Sequence, residues 1–253
     1  MKKKIIFTAA THGNEGFSIP ILKKLSREGY DQKFDWVIAN PVALKKDKRF
    51  IDVDLNRVAP GDKNGSKYEI RRSYELLQKL SSYDYVIDLH GTPAKTGIFT
   101  IVTSPKIENV LLAASLPIKN VVIWSLNNLK QSGPLTQFIK CGLEIECGPK
   151  ESPEIKEQLY TVLRELLESG FELDNNKIRK KVFYRVYEPL MKKDYKNAEV
   201  KLNEFEKAII NKEFFFPLLI NRYQDIICYK MEKININLKN YEKKNSNRCD
   251  GVY

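Results

Sequence analysis

Two histidines and a glutamate are placed in this sequence so that they could bind one metal ion. His12 and Glu15 stand three residues apart in the segment Thr-His-Gly-Asn-Glu, and His90 is the only other histidine among 253 residues. One turn of backbone would present an imidazole nitrogen and a carboxylate to the same ion, and the distant histidine would complete the set. Hydrolytic zinc enzymes use two histidines and one glutamate and leave a fourth position for water. Two histidines exclude a three-His zinc site, a cupin and a haem-rich protein.

Neither histidine is diagnostic by itself. A His-x-x-Glu pair recurs often by chance, and a histidine at a strand end is more often hydrogen-bonded than metal-bound. Both histidines of this chain lie beside glycine at the end of a predicted strand, whereas a core histidine would be expected within an element. The joint placement favours a metal site, and hydrogen-bonded structural histidines remain the alternative.

A charged segment at residues 46–57, Lys-Asp-Lys-Arg-Phe-Ile-Asp-Val-Asp-Leu-Asn-Arg, supplies hydrogen-bond donors. Arg49, Asn56 and Arg57 could hold a carboxylate or stabilise a developing oxyanion. The alternative is a solvated loop in which Asp52 and Asp54 pair with these arginines.

Two further carboxylates lie near the end of a later predicted strand. Glu144 and Glu146 are two residues apart, and residues at this spacing on a strand face the same side of the sheet. Either could serve as a base beside a metal, and the spacing alone does not choose between them.

The hydrophobic pattern predicts the elements that must position these residues. Strands alternate with helices up to about residue 170, which predicts an α/β fold with a mixed, largely parallel sheet flanked by helices. The predicted strands are residues 4–10, 36–39, 85–89, 98–102, 121–124 and 142–147. The predicted helices are residues 16–28, 68–80, 107–114 and 153–169, and residues 48–66 are predicted to form a loop. In doubly wound folds ligands bind beyond the carboxyl ends of the strands, where both histidines and Glu146 fall.

The pattern changes after Gly170. Residues 181–187, 214–220 and 226–229 read as strands, helices become scarce and aromatic residues frequent. We therefore predict a catalytic domain at residues 1–172 and a smaller, mostly β domain at residues 173–253, with the last dozen residues frayed.

The composition limits the class of protein. Of the net charge of +11, residues 173–253 carry +7, but their basic residues are interleaved with acidic ones and form no recognised nucleic-acid motif. We therefore expect no nucleic-acid partner. Four cysteines without a Cys-x-x-Cys pair, no long apolar run and an N-terminus unlike a signal peptide predict a cytoplasmic protein without a membrane span. The sequence leaves a homo-oligomer open.

Five segments occur in one order along the first 150 residues: Thr-His-Gly-Asn-Glu at 11–15, Asn-Pro-Val-Ala at 40–43, Arg-Phe-Ile-Asp-Val-Asp-Leu-Asn-Arg at 49–57, Asp-Leu-His at 88–90 and Glu-Cys-Gly-Pro at 146–149. In order and spacing they resemble the aspartoacylase/succinylglutamate desuccinylase family, a branch of the zinc carboxypeptidase-like fold. The resemblance covers residues 4–150. Beyond them only the β-rich character and Pro-Leu-Leu-Ile-Asn-Arg-Tyr at 217–223 are similar.

The resemblance implies a role for each matching position. His12, Glu15 and His90 match the ligands of one zinc ion per chain, and Glu146, rather than Glu144, matches the general base. Arg49 matches the arginine that polarises the scissile carbonyl, Asn56 and Arg57 match the pair that holds a substrate carboxylate, and Tyr223 is nearest to a substrate-binding tyrosine. Tyr223 has two other interpretations, core packing and a cross-strand aromatic pair.

The sequence departs from the family at one place. A further substrate-binding arginine of aspartoacylase, shortly before the general base, has no counterpart in residues 125–145, where Lys130 and Lys140 are the only basic residues. Selectivity for N-acetylaspartate is therefore not implied.

The resemblance and the residues together predict a zinc-dependent amidohydrolase that cleaves a small anionic N-acyl amino acid with zinc-activated water. One alternative is a zinc carboxypeptidase acting on a peptide or a peptidoglycan stem. The other is a basic binding protein without enzymatic activity.

Overall fold

The computed structural model describes residues 5–124, 132–170, 175–194 and 201–237. Within these ranges, ten strands form one sheet in the order β2-β1-β3-β6-β4-β5-β7-β10-β9-β8. The strands are β1 (Ile5–Ala9), β2 (Asp35–Ile38), β3 (Tyr85–Gly91), β4 (Gly97–Val102), β5 (Asn120–Ile123), β6 (Gly142–Gly148), β7 (Val182–Met191), β8 (Ala208–Ile210), β9 (Glu213–Leu218) and β10 (Ile226–Ile234). The α-helices are α1 (Ile19–Arg27), α2 (Pro41–Lys45), α3 (Tyr68–Leu80), α4 (Ile107–Ser115) and α5 (Pro153–Ser169). Short 3-10 helices lie at Gly13–Ser18, Tyr30–Gln32, Leu55–Arg57, Leu135–Phe138, Asn175–Lys180 and Lys192–Asp194.

Strand β1 shows how the sheet is buried on both faces. All five of its residues are buried, and alternate ones point to opposite sides. Phe7 packs in a core with Leu22 of α1 and Leu159 of α5, whereas Ile6 packs in a separate core with Leu76 of α3. Helices therefore cover the sheet on both sides, as the predicted α/β class requires.

Strands β1, β2, β3 and β6 run parallel to one another, and β4 runs antiparallel to β6. The prediction of a mixed, largely parallel sheet flanked by helices is confirmed. The parallel pairing of β1, β3 and β6 brings the carboxyl ends of three strands to one edge of the sheet. The predicted metal ligands and Glu146 lie at this edge.

The predicted helices at residues 68–80 and 153–169 agree with α3 and α5 residue for residue. Two local predictions were wrong. The helix predicted at 16–28 begins instead as the 3-10 helix Gly13–Ser18, and the strand predicted at 85–89 extends to Gly91, so that His90 is its last residue but one. Helix α2 was not predicted, because the Asn-Pro pair was interpreted only as a strand end. Asn40 also caps this helix by accepting a hydrogen bond from the Ala43 amide at 3.1 Å.

The last four strands continue the same sheet. β7 pairs in parallel with β5, and β10, β9 and β8 follow in antiparallel order. This confirms the predicted β-rich character of the C-terminal part, while the domain boundary at residue 172 stays a prediction.

The last dozen residues lie outside the described residues. No helix among the described residues is both long and apolar enough to cross a lipid bilayer.

One buried carboxylate fixes the charged segment of residues 46–57. Glu69, in the first turn of α3, is fully buried. It accepts hydrogen bonds from the backbone amides of Ile51 (2.6 Å), Asp52 (3.0 Å) and Val53 (3.2 Å). It also accepts one from the Asn40 side chain at 3.2 Å. Four donors that converge on one carboxylate hold this segment against α3.

We expect Glu69→Ala to destabilise the protein by about 3 kcal/mol or more, because it strands several buried donors at once. Urea denaturation followed by circular dichroism measures the change as a lower midpoint. The control is Glu75→Ala on the same helix, whose side chain is 62% exposed and pairs only with Arg72. This control should change stability by less than ~1 kcal/mol. Equal midpoints for the two variants would contradict the role given to Glu69.

Candidate active site

The ends of three neighbouring strands build the site. Thr11 and His12 follow β1, His90 lies at the end of β3, and Glu146 lies beside His90 on β6 in the sheet register. A positive φ of 55° at Ala10 turns the chain out of β1 into the segment with His12 and Glu15. Gly13 permits the next turn, because a Cβ there would lie 2.2 Å from the backbone carbon of Ala43.

His12, Glu15 and His90 converge. The Nδ1 atom of His12 lies 3.0 Å from Oε1 of Glu15, and Nδ1 of His90 lies 3.2 Å from Oε2 of the same carboxylate. The two imidazole rings are 5.0 Å apart. All three residues are buried, and one candidate ligand atom from each lies within 4.8 Å of the others. The three residues predicted as metal ligands are thus brought together with their donor atoms facing one point.

The outer ring nitrogen of each histidine contacts an aspartate. Nε2 of His12 lies 3.1 Å from Oδ1 of Asp54, and Nε2 of His90 lies 2.8 Å from Oδ2 of Asp88. Asp88 is itself fixed by hydroxyl donors from Thr8 at 2.6 Å and Thr11 at 2.8 Å. The outer carboxylates orient both rings so that Nδ1 faces inward, which is the usual support of metal-binding histidines.

Burial and charge set the protonation of this cluster. Burial alone would raise the pKa of Glu15, but hydrogen bonds with His12 and His90 hold that pKa well below its usual range. Burial likewise acts to lower the pKa of His90, yet the negative charge of Asp88 and the hydrogen bonds with Asp88 and Glu15 raise it well above its usual range. Glu15 is therefore an anion, ready to hold a cation.

The three predicted site residues of the charged segment make different contacts. Arg49 donates two hydrogen bonds to Oδ2 of Asp54, at 3.2 and 2.9 Å, and lies 3.6 Å from Glu15. Asn56 donates to Oε1 of Glu144 at 3.2 Å. Arg57 donates to the Asn56 carbonyl at 2.7 Å, and no carboxylate among the described residues forms an ion pair with it. Arg49, Asn56 and Arg57 all line one cavity with the histidines.

Glu144 and Glu146 both line this cavity but have different surroundings. Glu144 is buried and accepts hydrogen bonds from Asn56 (3.2 Å) and Thr136 (3.3 Å). Glu146 is partly exposed, and its carboxylate accepts no hydrogen bond from any described residue. Burial, followed by the negative charge of Glu15, raises the pKa of Glu146 to about 8, while the charges of His90 and Arg222 oppose that rise.

The cavity has a volume of about 240 Å³. Aromatic rings form one wall of the cavity, from Trp124 after β5 and from two tyrosines of the C-terminal part. Trp124 and Tyr229 pack edge to face with centroids 4.6 Å apart, and Tyr223 packs on Tyr229 at 5.8 Å. Tyr223 therefore lines the cavity and also belongs to an aromatic pair, and its role in substrate binding stays a prediction. Lys140 is exposed and outside the cavity lining, and Lys130 lies outside the described residues.

Sequence reasoning missed several residues of the site. Asp88 had a usable signal, since it stands two residues before His90 and so shares its face of the strand. Asp54 was considered only as a partner of arginine, although it contacts both Arg49 and His12. Arg222 and Thr136 also line or support the cavity, but no local pattern distinguishes them from surface residues.

Comparison with known proteins extends these observations. Residues 1–170 match the family model described as the succinylglutamate desuccinylase/aspartoacylase catalytic domain. A protein named "Probable aspartoacylase" from Prochlorococcus marinus subsp. pastoris is 30% identical over 203 residues, which cover 74% of this chain and 69% of that protein. The rat "N-acyl-aromatic-L-amino acid amidohydrolase (carboxylate-forming)" is 29% identical over 66% of this chain and 59% of its own length.

Solved structures show the same fold. The crystal structure of murine aminoacylase 3 superposes with a TM-score of 0.73 at 20% identity, covering 93% of this chain and 96% of that one. Succinylglutamate desuccinylase from Chromobacterium violaceum superposes with a TM-score of 0.69 at 16% identity, covering 93% and 86%. The fold is thus shared over nearly the whole chain, and the sequence match covers residues 1–170. The chain belongs to the succinylglutamate desuccinylase/aspartoacylase family.

Proposed function

We propose that this protein is a zinc-dependent amidohydrolase that cleaves the amide bond of a small anionic N-acyl amino acid. The observation that carries the proposal is the convergence of two imidazole nitrogens on one buried carboxylate. Beside this cluster lie a carboxylate without hydrogen-bond donors and an arginine without an ion-pair partner among the described residues.

The donor set fits zinc. His12, Glu15 and His90 offer two nitrogens and an oxygen, which are the ligand atoms of catalytic zinc sites, and Asp54 and Asp88 hold the outer nitrogens. A second cluster, Asp88 with His90 and Glu144, fits less well. Its aspartate is already bound by two threonines, and its glutamate by Asn56 and Thr136. When bound, zinc lowers the pKa of water to ~7 and polarises the amide carbonyl as a Lewis acid.

Glu146 is the group best placed to move protons. Its carboxylate lies next to His90 in the sheet register, faces the cavity and accepts no hydrogen bond from a described residue. A cation bound by the neighbouring cluster would favour the ionised form of Glu146 over the neutral form that its raised pKa of about 8 otherwise favours at neutral pH. The ionised carboxylate can take a proton from the attacking water and deliver it to the departing amine nitrogen. Glu144 lies on the same face, but hydrogen bonds from Asn56 and Thr136 occupy it. The family resemblance and the hydrogen bonding both support Glu146 as the base.

Two arginines stabilise different charges in this proposal. Arg49 is fixed by Asp54 at the side of Glu15, where a guanidinium can stabilise the oxyanion that develops on the carbonyl. Among the described residues, Arg57 donates a hydrogen bond only to the Asn56 carbonyl, and its remaining donors bind the substrate carboxylate as a planar fork. Asn56 next to it is engaged by Glu144, so its contribution is to position that wall of the cavity.

The size of the cavity favours a small substrate over a peptide. A volume of about 240 Å³ is below the ~300–1,000 Å³ of sites that enclose drug-sized ligands. An N-acyl amino acid fits this space, whereas a peptide or a peptidoglycan stem needs an open channel. A binding protein without enzymatic activity would need neither the oriented histidines nor a Glu146 carboxylate that accepts no hydrogen bond from a described residue.

Zinc content tests the metal site. Purified protein should contain about one zinc per chain by inductively coupled plasma mass spectrometry, because three buried ligands converge. His12→Ala and His90→Ala should each lose most of the metal, whereas Glu75→Gln on the exposed face of α3 should keep it. Circular dichroism verifies folding of each variant. Protein that holds no zinc after reconstitution would sink the proposal.

The base is tested by a matched pair of variants. Glu146→Gln should keep zinc and lower kcat by about 10²–10⁴, because the proton acceptor is lost while the ligands remain. Glu144→Gln, which changes the neighbouring carboxylate on the same face, should retain far more activity. The measurement is amine release from N-acetyl amino acids at saturating substrate. An inactive Glu144→Gln beside an active Glu146→Gln would reverse the assignment.

The carboxylate clamp is tested by a conservative change. Arg57→Lys keeps the charge but loses the bidentate fork, so KM should rise about tenfold or more with a smaller change in kcat. Arg27→Lys, at the exposed end of α1, is the control and should match the wild type. Steady-state kinetics separates the two constants. A KM equal to that of the wild type would exclude Arg57 as the clamp.

A further inference from the structure

The main chain between His12 and Glu15 is held by a lysine from a distant part of the sequence. The carbonyl of Asn14 accepts a hydrogen bond from the Nζ ammonium of Lys150, which is 136 residues away and lies shortly beyond the end of β6. Asn14 stands directly before Glu15, so this bond reaches the residue next to the central carboxylate of the histidine cluster. A hydrogen bond from an ammonium is roughly twice as strong as one between neutral groups.

Lys150 is itself fixed at the ends of two strands. Its amide donates to the Thr92 carbonyl at 2.9 Å, and the Thr92 amide donates to the Cys147 carbonyl at 2.9 Å. Its Cβ packs on Gly91, where an added Cβ would lie 2.7 Å from it. The ends of β3 and β6 therefore determine where the ammonium lies.

These contacts bring Lys150 to Glu15 by two routes. Through its ammonium it holds the main chain directly before Glu15. Through its Cβ it packs on Gly91, whose amide donates to Oε2 of Glu15 at 3.1 Å. The position of the Glu15 carboxylate relative to β3, which carries His90, thus depends on one side chain outside the cluster.

Two other interpretations of Lys150 agree less well with its contacts. Its carboxylate neighbour Glu151 lies 4.0 Å from Nζ and is 77% exposed, so this ion pair contributes little. A role in substrate binding would require access to the cavity, and Lys150 is not among the described residues that line it. Its side chain is only 14% exposed, unlike that of a solvated surface lysine.

We infer that Lys150 is a positioning residue for the candidate metal site, because it fixes the segment with His12 and Glu15 against the ends of β3 and β6. The inference rests on the proposed zinc-dependent function. A ligand set that is already ordered loses less conformational freedom when an ion binds. Loss of the lysine ammonium should therefore weaken metal binding, although this group does not contact the ion or the substrate.

Zinc affinity tests this role. Lys150→Met keeps an unbranched side chain but removes the ammonium, and we expect it to weaken zinc binding about tenfold or more, as loss of other groups that support metal ligands does. Lys150→Arg keeps a charged donor and should bind zinc within about threefold of the wild type. Competition with a chromophoric chelator measures both constants. Lys156→Met is the matched control, because its Nζ lies 3.8 Å from the same Glu151, and it should bind zinc as the wild type does.

Hydrogen–deuterium exchange measures the anchor without metal. In zinc-free Lys150→Met, peptides that cover residues 11–17 should exchange about tenfold faster, because a charged hydrogen bond to their main chain is lost. Exchange in α3 on the other face of the sheet should not change. Circular dichroism checks folding, and Lys150→Gln takes the place of Lys150→Met if that variant does not fold.

Several results would overturn the inference. They are an unchanged zinc affinity in Lys150→Met, an equal loss of affinity in Lys156→Met, and faster exchange over the whole chain, which would assign Lys150 to overall stability. A wild type that binds zinc beside an unaffected Lys150→Met refutes only the role of Lys150. A wild type that binds no zinc refutes the proposed function, and exchange at residues 11–17 then still decides whether Lys150 holds this segment.

Discussion

The buried carboxylate of Glu15 is the interaction on which the rest of the site depends. An ion at this depth is costly unless it is paired, and here both imidazoles and the Gly91 amide, at 3.1 Å, meet its two oxygens. Its partners come from the segment after β1 and from the end of β3, so the pairing is possible only where those parallel strands lie side by side. The parallel strands bring these groups together, and the negative charge of Glu15 favours a cation at this place.

Further carboxylates, at increasing distance from Glu15, are also held by hydrogen-bond donors. Asp54 and Asp88 hold the outer nitrogens of the two rings, and Glu69 holds the backbone just before Asp54. Each is buried or partly buried, and each is fixed by donors from another element. Glu69 is thus connected to His12 through the segment that carries Asp54, although Glu69 does not line the cavity. Rigidity of this kind lets ligands keep their geometry when an ion binds or leaves.

A feature could be predicted from the sequence when the residues that determine it lie close together along the chain. The helices α3 and α5 and the ligand spacing of His12 and Glu15 are local patterns, and they were predicted correctly as elements and as a converging group. Helix α2 escaped because five residues are too few to show a period. The hydrogen bond that makes the surroundings of Glu144 differ from those of Glu146 comes from Asn56, which is 88 residues away from Glu144. A contact between residues so far apart in the chain cannot be predicted from residue spacing.

Recognition of the substrate is the least local feature, and this has a physical reason. A metal site needs three atoms within a few ångströms of each other, which one strand end and one turn can nearly supply. A substrate has two ends, so its binding groups must lie on opposite sides of the reacting bond and come from distant parts of the chain. Arg57 precedes α3, whereas Arg222 follows β9, and both line the cavity. The C-terminal strands extend the same sheet past β5 and return this turn to the cavity. The histidine cluster can thus stay constant while the turn between β9 and β10 changes the shape and charge of the cavity.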